Sequence, residues 1–243
     1  MYGYRARIGL IVPSSNTVCE PEMSALCPEG VAAYATRIAF EPTIAGLQSM
    51  KAHVERASTE LSSEDICQIL VFCCTVGSLL GGVATEQEIT GLMEKTAGIP
   101  AITTGSSVIA AFEALGLEKI AVATPYTQEI NKHEKKDLES RGYRVTRIRG
   151  YHEHVSPEAL RNDMIGRLSP DVAFELGLKV DGHDNQAIFI SCTNFRAIEI
   201  IQKLEQKTGK PVVTSNQAAM WHALRRLGIK NRIQGYGRLL EHC

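Results

Sequence analysis

The sequence predicts an α/β protein of two similar halves, each a three-layer αβα lobe with a mainly parallel sheet, related by an internal pseudo-twofold axis. Short apolar runs typical of buried strands alternate along the chain with longer stretches typical of helices. The segments Ile8–Pro13 and Ile120–Pro125 resemble each other, and their prolines are 112 positions apart. Two further apolar runs end in the same dipeptide, Cys74-Thr75 and Cys192-Thr193. A repeat this long indicates two fused half-domains, with an active site in the cleft between them.

Four strands are predicted in the first half, because each segment is a short apolar run bounded by polar or turn residues. They cover 6–12, 33–40, 68–73 and 99–103. The helices that follow them cover 17–26, 46–63, 84–97 and 106–115. Gly98-Ile99-Pro100 closes the third helix, since glycine suits a helix end and proline cannot continue a helix.

The second half repeats this order. Strands are predicted at 119–123, 143–149, 186–191, 211–214 and 232–236, and helices at 127–141, 156–178, 195–208 and 216–227. Ser156-Pro157 and Ser169-Pro170 each offer an N-cap followed by proline at the first helical position, so 156–178 is predicted to be two helices. Gly209-Lys210-Pro211 closes the helix after Cys192, as in the first half.

The repeat divides the chain into an N-terminal lobe at 1–117, a C-terminal lobe at 118–228 and a terminal segment at 229–243. Cys74 lies in the first lobe and Cys192 in the second, and the lobes can exchange end segments. No low-complexity linker separates the lobes, so they are expected to pack tightly against each other.

Composition excludes several classes of partner. The chain has 243 residues with 22% charged residues and a net charge of −1, and no basic run indicates a nucleic-acid partner. No apolar run is long enough to span a membrane, and no signal-peptide pattern precedes the first strand. The seven cysteines lack the spacing of a zinc site or a disulfide framework, which favours a reducing cytoplasm. No motif for a metal or an organic cofactor is present, so none is expected.

The two repeated cysteines are the predicted catalytic residues. A thiol at the C-terminal end of a strand, just before a helix, occupies the place where open α/β sheets bind ligands. A helix N-terminus also favours the reactive thiolate. Cys74 and Cys192 are therefore expected to face a small substrate from opposite sides, while Cys73 points the other way into the core. The alternative, that both are ordinary core cysteines, is disfavoured by their repetition.

Small polar residues around the two cysteines predict a carboxylate site. Backbone N–H groups at helix N-termini, together with neutral side-chain donors, can hold an anion without an arginine. The predicted substrate-binding residues are Ser14, Asn16, Thr75, Val76, Tyr126, Thr193 and Asn194.

Four of these segments together resemble a known superfamily. Val12–Thr17, Cys74-Thr75, Pro125-Tyr126 and Cys192–Asn194 are similar to the aspartate/glutamate racemases, and within them to the branch of maleate cis-trans isomerases and arylmalonate decarboxylases. The resemblance covers essentially the whole chain. It implies a pseudo-twofold α/β fold and cofactor-independent chemistry, with Cys74 as nucleophile, Cys192 as the second catalytic cysteine, and Asn16 and Tyr126 in the site.

The chain also departs from the isomerase pattern. Isomerases of this branch usually have Cys-Leu-Val-Ala and Cys-Val-Gln where this chain has Cys74–Gly77 and Cys192–Asn194, and the threonines here look more like those of amino-acid racemases. Decarboxylases of the branch have glycine at the first cysteine, so Cys74 disfavours decarboxylation. The resemblance implies isomerisation of maleate to fumarate, on a small mono- or dicarboxylate. Amino-acid or hydantoin racemisation, arylmalonate-type decarboxylation and non-catalytic carboxylate binding are the alternatives, and assembly into a homo-oligomer is left open.

Overall fold

Two parallel four-stranded sheets with the same strand order form the frame of the protein. The structure is a computed structural model that describes residues 2–39, 44–79, 81–156 and 160–243, without the side chains of 44–52. The first sheet has the order β2-β1-β3-β4 and the second the order β6-β5-β7-β8. The predicted duplication of an α/β unit is thereby confirmed. The strands are β1 (Ala6–Pro13), β2 (Val31–Ile38), β3 (Ile69–Phe72), β4 (Ala101–Thr103), β5 (Lys119–Thr124), β6 (Arg144–Gly150), β7 (Ala187–Ile190) and β8 (Val212–Thr214).

Helices connect the strands close to the predicted positions. A short helix immediately after Cys74 was not predicted, and the predicted residue Phe40 lies outside the described residues. The helices are α1 (Cys19–Ala25), α2 (Ile44–Ser62), α3 (Thr75–Leu79), α4 (Gly82–Ala97), α5 (Thr104–Ala114), α6 (Gln128–Ser140), α7 (Asn162–Ile165), α8 (Pro170–Val180), α9 (Ile201–Thr208), α10 (Ser215–Arg226) and α11 (Arg238–His242). None of the helices within the described residues is long and apolar enough to cross a membrane.

One predicted division of a helix is found in the structure, and two other predicted elements differ from it. The segment 156–178 does contain two helices, α7 and α8, although residues 157–159 lie outside the described residues. The helix predicted at 195–208 begins as a 3₁₀ turn at Ile198, because the N–H groups of Ala197 and Ile198 donate to the Glu22 carboxylate. The strand predicted at 232–236 is wrong: the Ile233 N–H bonds to Leu240 rather than to a neighbouring strand.

The two halves use the same local chemistry to set their helices. Thr103 and Thr214 each begin a helix with a capping box, in which the threonine hydroxyl accepts a backbone N–H and the third residue bonds back. Gly98 and Gly209 end the preceding helices in the left-handed conformation, with φ of 68° and 74°. The Cys-Thr turns themselves follow β3 and β7, which pair in parallel with β1 and β5, so each turn lies at the carboxyl edge of its sheet.

Aromatic packing joins the halves. Phe112 on α5 is fully buried, and its ring centroid lies 5.1 Å from that of Tyr143 and 5.6 Å from that of Phe189, both in edge-on contacts. Helices α5 and α10 pack against each other between the sheets, and one continuous core includes residues of both sheets. A buried ion cluster also crosses between the halves, where Arg141 on α6 bonds to Glu86 on α4 at 2.8 Å and to Asp137 at 2.7 Å.

We expect Phe112→Ala to lower the free energy of unfolding by about 3–5 kcal/mol, because it leaves a cavity where the two halves meet. Urea unfolding followed by tryptophan fluorescence measures this change. Val83→Ala, at a side chain that is 46% exposed, is the control and should change stability by less than about 0.5 kcal/mol. Equal effects of the two substitutions would show that the Phe112 contact is not part of the core that joins the halves.

Candidate active site

Cys74 lies directly after β3, at the start of α3. Its side chain is 5% exposed, and its Sγ accepts the Gly77 N–H at 3.3 Å. Gly77 leaves room for this sulfur, since a Cβ at Gly77 would lie 3.0 Å from it. Cys73 packs into the core shared by the two sheets, as predicted from strand alternation.

Cys192 occupies the equivalent place after β7. It is 7% exposed, and its Sγ accepts the Asn194 N–H at 3.3 Å and the Tyr126 hydroxyl. Its φ is +109°, a conformation that costs a non-glycine residue on the order of 1–3 kcal/mol. Such strain persists only where the surroundings hold the backbone firmly, and here it aims the thiol toward Tyr126.

Hydrogen bonds across the halves bring the two cysteine turns together. The Ser215 hydroxyl accepts the Thr75 hydroxyl and the Cys192 N–H, each at 3.0 Å. The Thr193 hydroxyl donates to the Cys73 carbonyl at 3.0 Å. Both thiols are free, and ionisation of Cys192 raises the pKa of Cys74 through their electrostatic interaction.

Burial controls the protonation of this site. It raises the pKa of Cys74 to about 12 and outweighs the Gly77 N–H, which lowers it. It also raises the pKa of Cys192 to about 12, against the lowering effect of Tyr126 and the Asn194 N–H. The N–H groups of the two turns favour the thiolates as expected, but burial outweighs them, so both thiols hold their protons at neutral pH. Burial likewise raises the pKa of Tyr126 well above its usual value, so its hydroxyl is a donor.

The predicted asparagines shape the walls of the site. The Asn16 Oδ1 caps α1 by accepting the N–H groups of Val18 and Cys19 at 3.0 and 2.9 Å, and its Nδ2 donates to Thr193 at 3.1 Å. One N–H of that amide is left for a ligand. The Asn194 side chain accepts the Thr17 N–H at 2.9 Å and donates to the Asn162 carbonyl at 2.5 Å.

The remaining predicted binding residues lie at the edge of the site. Ser14 is exposed, with its N–H bonded to Ile38, and Val76 is half-buried against the core shared by the sheets. Thr75 and Thr193 are buried, and both hydroxyls have protein partners, so these residues can offer a ligand their backbone N–H groups.

Packing closes over the two thiols. The Asn162 side chain donates to the Ser15 hydroxyl at 2.6 Å, so α7 covers the loop after β1. A cavity of about 660 Å³ opens nearby between Glu22, Arg196 and Tyr236, and neither thiol lines it. In the part of the chain that the structure describes, no three His, Cys, Asp or Glu side chains are arranged to hold a metal ion.

Two buried carboxyls near the site were not predicted. The Glu134 Oε1 accepts the Ser191 hydroxyl at 2.5 Å, directly before Cys192. Glu22 accepts the Ala197 N–H at 2.8 Å and the Asn216 side-chain amide at 2.7 Å. Burial raises the pKa of each carboxyl to about 7. Both raise the pKa of the Cys192 thiol, so they belong to the electrostatics of the site.

Fold and site define a two-thiol α/β protein with an internal repeat, and comparison with known proteins agrees. A family model described as arylmalonate decarboxylase matches residues 8–240. Two curated relatives are a maleate isomerase of Geobacillus stearothermophilus, 26% identical over 97% of each chain, and an arylmalonate decarboxylase of Bordetella bronchiseptica, 27% identical over 96% of each chain. A solved structure of Nocardia farcinica maleate cis-trans isomerase matches with a TM-score of 0.89 at 22% identity, covering 98% of this chain and 99% of that one. That structure is a cysteine-to-serine mutant with a covalently bound succinylcysteine intermediate.

The chain therefore belongs to the arylmalonate decarboxylase family, since the family model spans nearly its whole length. The likeness to the solved maleate isomerase establishes the fold over nearly the whole chain.

We expect Ser215→Ala to lower the free energy of unfolding by about 1–3 kcal/mol, because the buried Cys192 N–H loses its acceptor. Chemical denaturation measures the loss. Ser24→Ala, at an exposed position of α1, is the matched control and should be close to neutral. If the Ser215 variant were as stable as the control, Ser215 would not hold the two cysteine turns together.

Proposed function

We propose that this chain is a cofactor-independent cis–trans isomerase that converts maleate to fumarate with Cys74 and Cys192. The observation that carries the proposal is the pair of buried, free and electrostatically coupled thiols at equivalent strand ends. Each lobe, 1–117 and 118–228, would supply one of them. The presence of Cys74 favours isomerisation over decarboxylation, because the resemblance implies glycine at this position in decarboxylases.

The proposed first step is addition to the alkene. Cys74 releases its proton to solvent, and the thiolate forms a C–S bond to C2 of maleate while the alkene electron pair moves to C3. The adjacent carboxylate carries the developing charge. Cys192 then donates its thiol proton to C3, which gives a succinyl adduct on Cys74. This is nucleophilic catalysis, in which one difficult step becomes two easier ones.

The second step reverses the first after rotation. The C2–C3 bond is now single, so it turns until the two carboxylates lie on opposite sides. The Cys192 thiolate removes a proton from C3, the electron pair re-forms the alkene and the C–S bond breaks. Fumarate leaves, Cys192 is again a thiol, and the Cys74 thiolate takes a proton back from solvent, so atoms and electrons balance without an external oxidant or reductant.

The substrate carboxylates would be held by neutral donors. The free N–H of Asn16, the Tyr126 hydroxyl and the backbone N–H groups of the two cysteine turns suit anions in a protein of nearly neutral charge. The proposed contacts are Ser14, Asn16, Thr75, Val76, Tyr126, Thr193 and Asn194. The Nocardia farcinica protein with its succinylcysteine supports the covalent route by analogy.

We expect the purified protein to convert maleate to fumarate, and Cys74→Ala and Cys192→Ala each to lower kcat by at least about a thousandfold, because each removes a reacting atom. Proton NMR measures both carboxylates directly. Cys27→Ala is the control and should keep full activity, since Cys27 lies outside the site. Parallel reactions in D₂O with aspartate, a hydantoin and an arylmalonate test the alternatives. Deuterium at a racemised stereocentre, with no action on maleate, would replace isomerisation by racemisation.

We expect kcat/KM for maleate to rise about tenfold per pH unit between about pH 7 and 9. This parameter reports the free enzyme, in which burial raises the pKa of Cys74 to about 12, so the thiolate fraction grows with pH throughout this range. Initial rates at subsaturating maleate measure the slope. A flat profile over the same range would contradict a protonated resting thiol.

A further inference from the structure

The residue before each cysteine has the same place in its sheet. The N–H of Cys73 donates to the Ile11 carbonyl, and the N–H of Ser191 donates to the Ala123 carbonyl, both at 2.9 Å. Cys73 and Ser191 are therefore structural equivalents. A difference between the hydrogen-bond partners of Cys73 and Ser191 is therefore also a difference between the surroundings of Cys74 and Cys192.

Their side-chain partners differ in charge. The Cys73 thiol is hydrogen-bonded to the buried, neutral thiol of Cys19. The Ser191 hydroxyl instead donates to the carboxyl of Glu134, which is 2% exposed. An ionisable carboxyl thus stands behind Cys192, whereas a neutral thiol stands at the equivalent place behind Cys74.

The Glu134 carboxyl is poorly compensated. Its Oε2 is buried, and no group of the described residues forms a hydrogen bond to it. The guanidinium of Arg141, just after the same helix, bonds to Asp137 and Glu86 instead, and its own Nη2 is also buried without a partner among the described residues. A buried polar atom left unpaired costs stability, so packing alone does not explain a carboxyl at Glu134.

Few buried charges surround Glu134, although its own helix carries exposed ones such as Lys132 and Lys136. On its own helix Asp137 raises its pKa, the facing helix α3 has no ionisable side chain, and Tyr126 and Cys192 face it from the site. The arginines of β6, on which α6 also packs, are exposed; they are Arg144, Arg147 and Arg149. Glu22 acts on Cys192 from the other half.

The strained turn at Cys192 needs such a hold. With φ of +109°, its backbone is kept in place by neighbours on both sides. Ser191 is fixed by Glu134 on one side, and Thr193 is fixed by Asn16 and by the Cys73 carbonyl on the other.

We propose that Glu134 is a positioning residue for Cys192: through Ser191 it holds the strained turn, and its negative charge adds to the burial that keeps the proton on that thiol, so that Cys192 serves as the acid and Cys74 as the nucleophile. This deepens the proposed isomerisation and rests on it for the two chemical roles. The charge effect itself exists whether or not maleate is the substrate. Burial raises the pKa of Glu134 to about 7, so its charge develops around neutral pH.

Alkylation of the two thiols tests the proposal without turnover. The full-length protein is treated with iodoacetamide at pH 8, and the labelling rates of Cys74 and Cys192 are read separately by peptide mass spectrometry. Glu134→Gln keeps an acceptor for Ser191 and removes the charge. It should speed labelling of Cys192 about tenfold, the effect of one pKa unit, and leave Cys74 within twofold. Glu139→Gln, exposed on the same helix, should change neither rate.

The unmodified protein provides a second measurement if Glu134→Gln does not fold. As pH rises through about 7, Glu134 gains its charge, so the Cys192 rate should increase by clearly less than tenfold per unit while the Cys74 rate keeps its tenfold slope. Parallel slopes, or a folded Glu134→Gln variant with an unchanged Cys192 rate, would overturn the proposal.

Steady-state kinetics with maleate show whether Glu134 positions Cys192 for the reaction or only stabilises the fold. Glu134→Gln should lower kcat for maleate at least tenfold with little change in KM, and Glu134→Asp, which keeps the charge, should recover part of the loss. If alkylation follows the expected pattern while maleate is not converted, the proposed function fails and the effect of Glu134 on Cys192 stands. Unchanged kcat in a folded Glu134→Gln variant that converts maleate would overturn the assignment of Cys192 as the acid held by Glu134.

Discussion

The hydroxyl of Ser215 joins two turns that are 118 residues apart in the sequence, and the site depends on that contact. It accepts from Thr75 in one half and from the Cys192 backbone in the other. Because each turn ends a rigid strand, fixing one hydroxyl between them fixes the relation of the two thiols. Thr193 repeats the device in the opposite direction by donating to the Cys73 carbonyl. The internal repeat thus supplies two matched strand ends, and reciprocal hydrogen bonds hold them as one site.

Burial sets the chemistry that this arrangement can perform. Removing the thiols from water raises the pKa of both to about 12, so at neutral pH nearly all of each is protonated and only a small fraction is thiolate. A scarce thiolate is a strong nucleophile, and a protonated thiol beside it is an acid. The two halves differ in one respect: the Ser191 hydroxyl next to Cys192 donates to the carboxyl of Glu134, whereas Cys73 next to Cys74 is hydrogen-bonded to the thiol of Cys19.

The sequence predicted the frame well because its signals are local. Apolar runs, the helix cap at Ser169 and the repeated Cys-Thr dipeptides each involve a few neighbouring residues. Ser215 gave no such local signal, since its partners lie in distant parts of the chain. Glu134 lies on a helix rich in charged residues. The neighbouring sequence of a buried glutamate there looks the same as that of an exposed one, so its burial could not be predicted. Thiol protonation was misjudged because it depends on total burial, which a helix N-terminus offsets only in part.

The 232–236 segment shows the same limit. The segment was predicted as a strand, but the Gln217 side-chain amide on α10 donates to the Tyr236 carbonyl and holds the segment as a turn against the second half. Only tertiary contacts distinguish the two outcomes. The segment borders the cavity beside Glu22. The wrong strand prediction therefore concerns this cavity and not the two strand ends that carry the thiols.

The covalent route through Cys74 is tested most directly by trapping its adduct. Cys192→Ser replaces the thiol by a hydroxyl that supplies no base for the elimination step, so an adduct whose C3 takes its proton from water should accumulate. Intact-mass spectrometry after brief exposure to maleate should show a gain equal to one maleate, and peptide mapping should place it on Cys74. An unmodified Cys74 in that variant, with the unsubstituted protein converting maleate, would contradict the two-thiol mechanism.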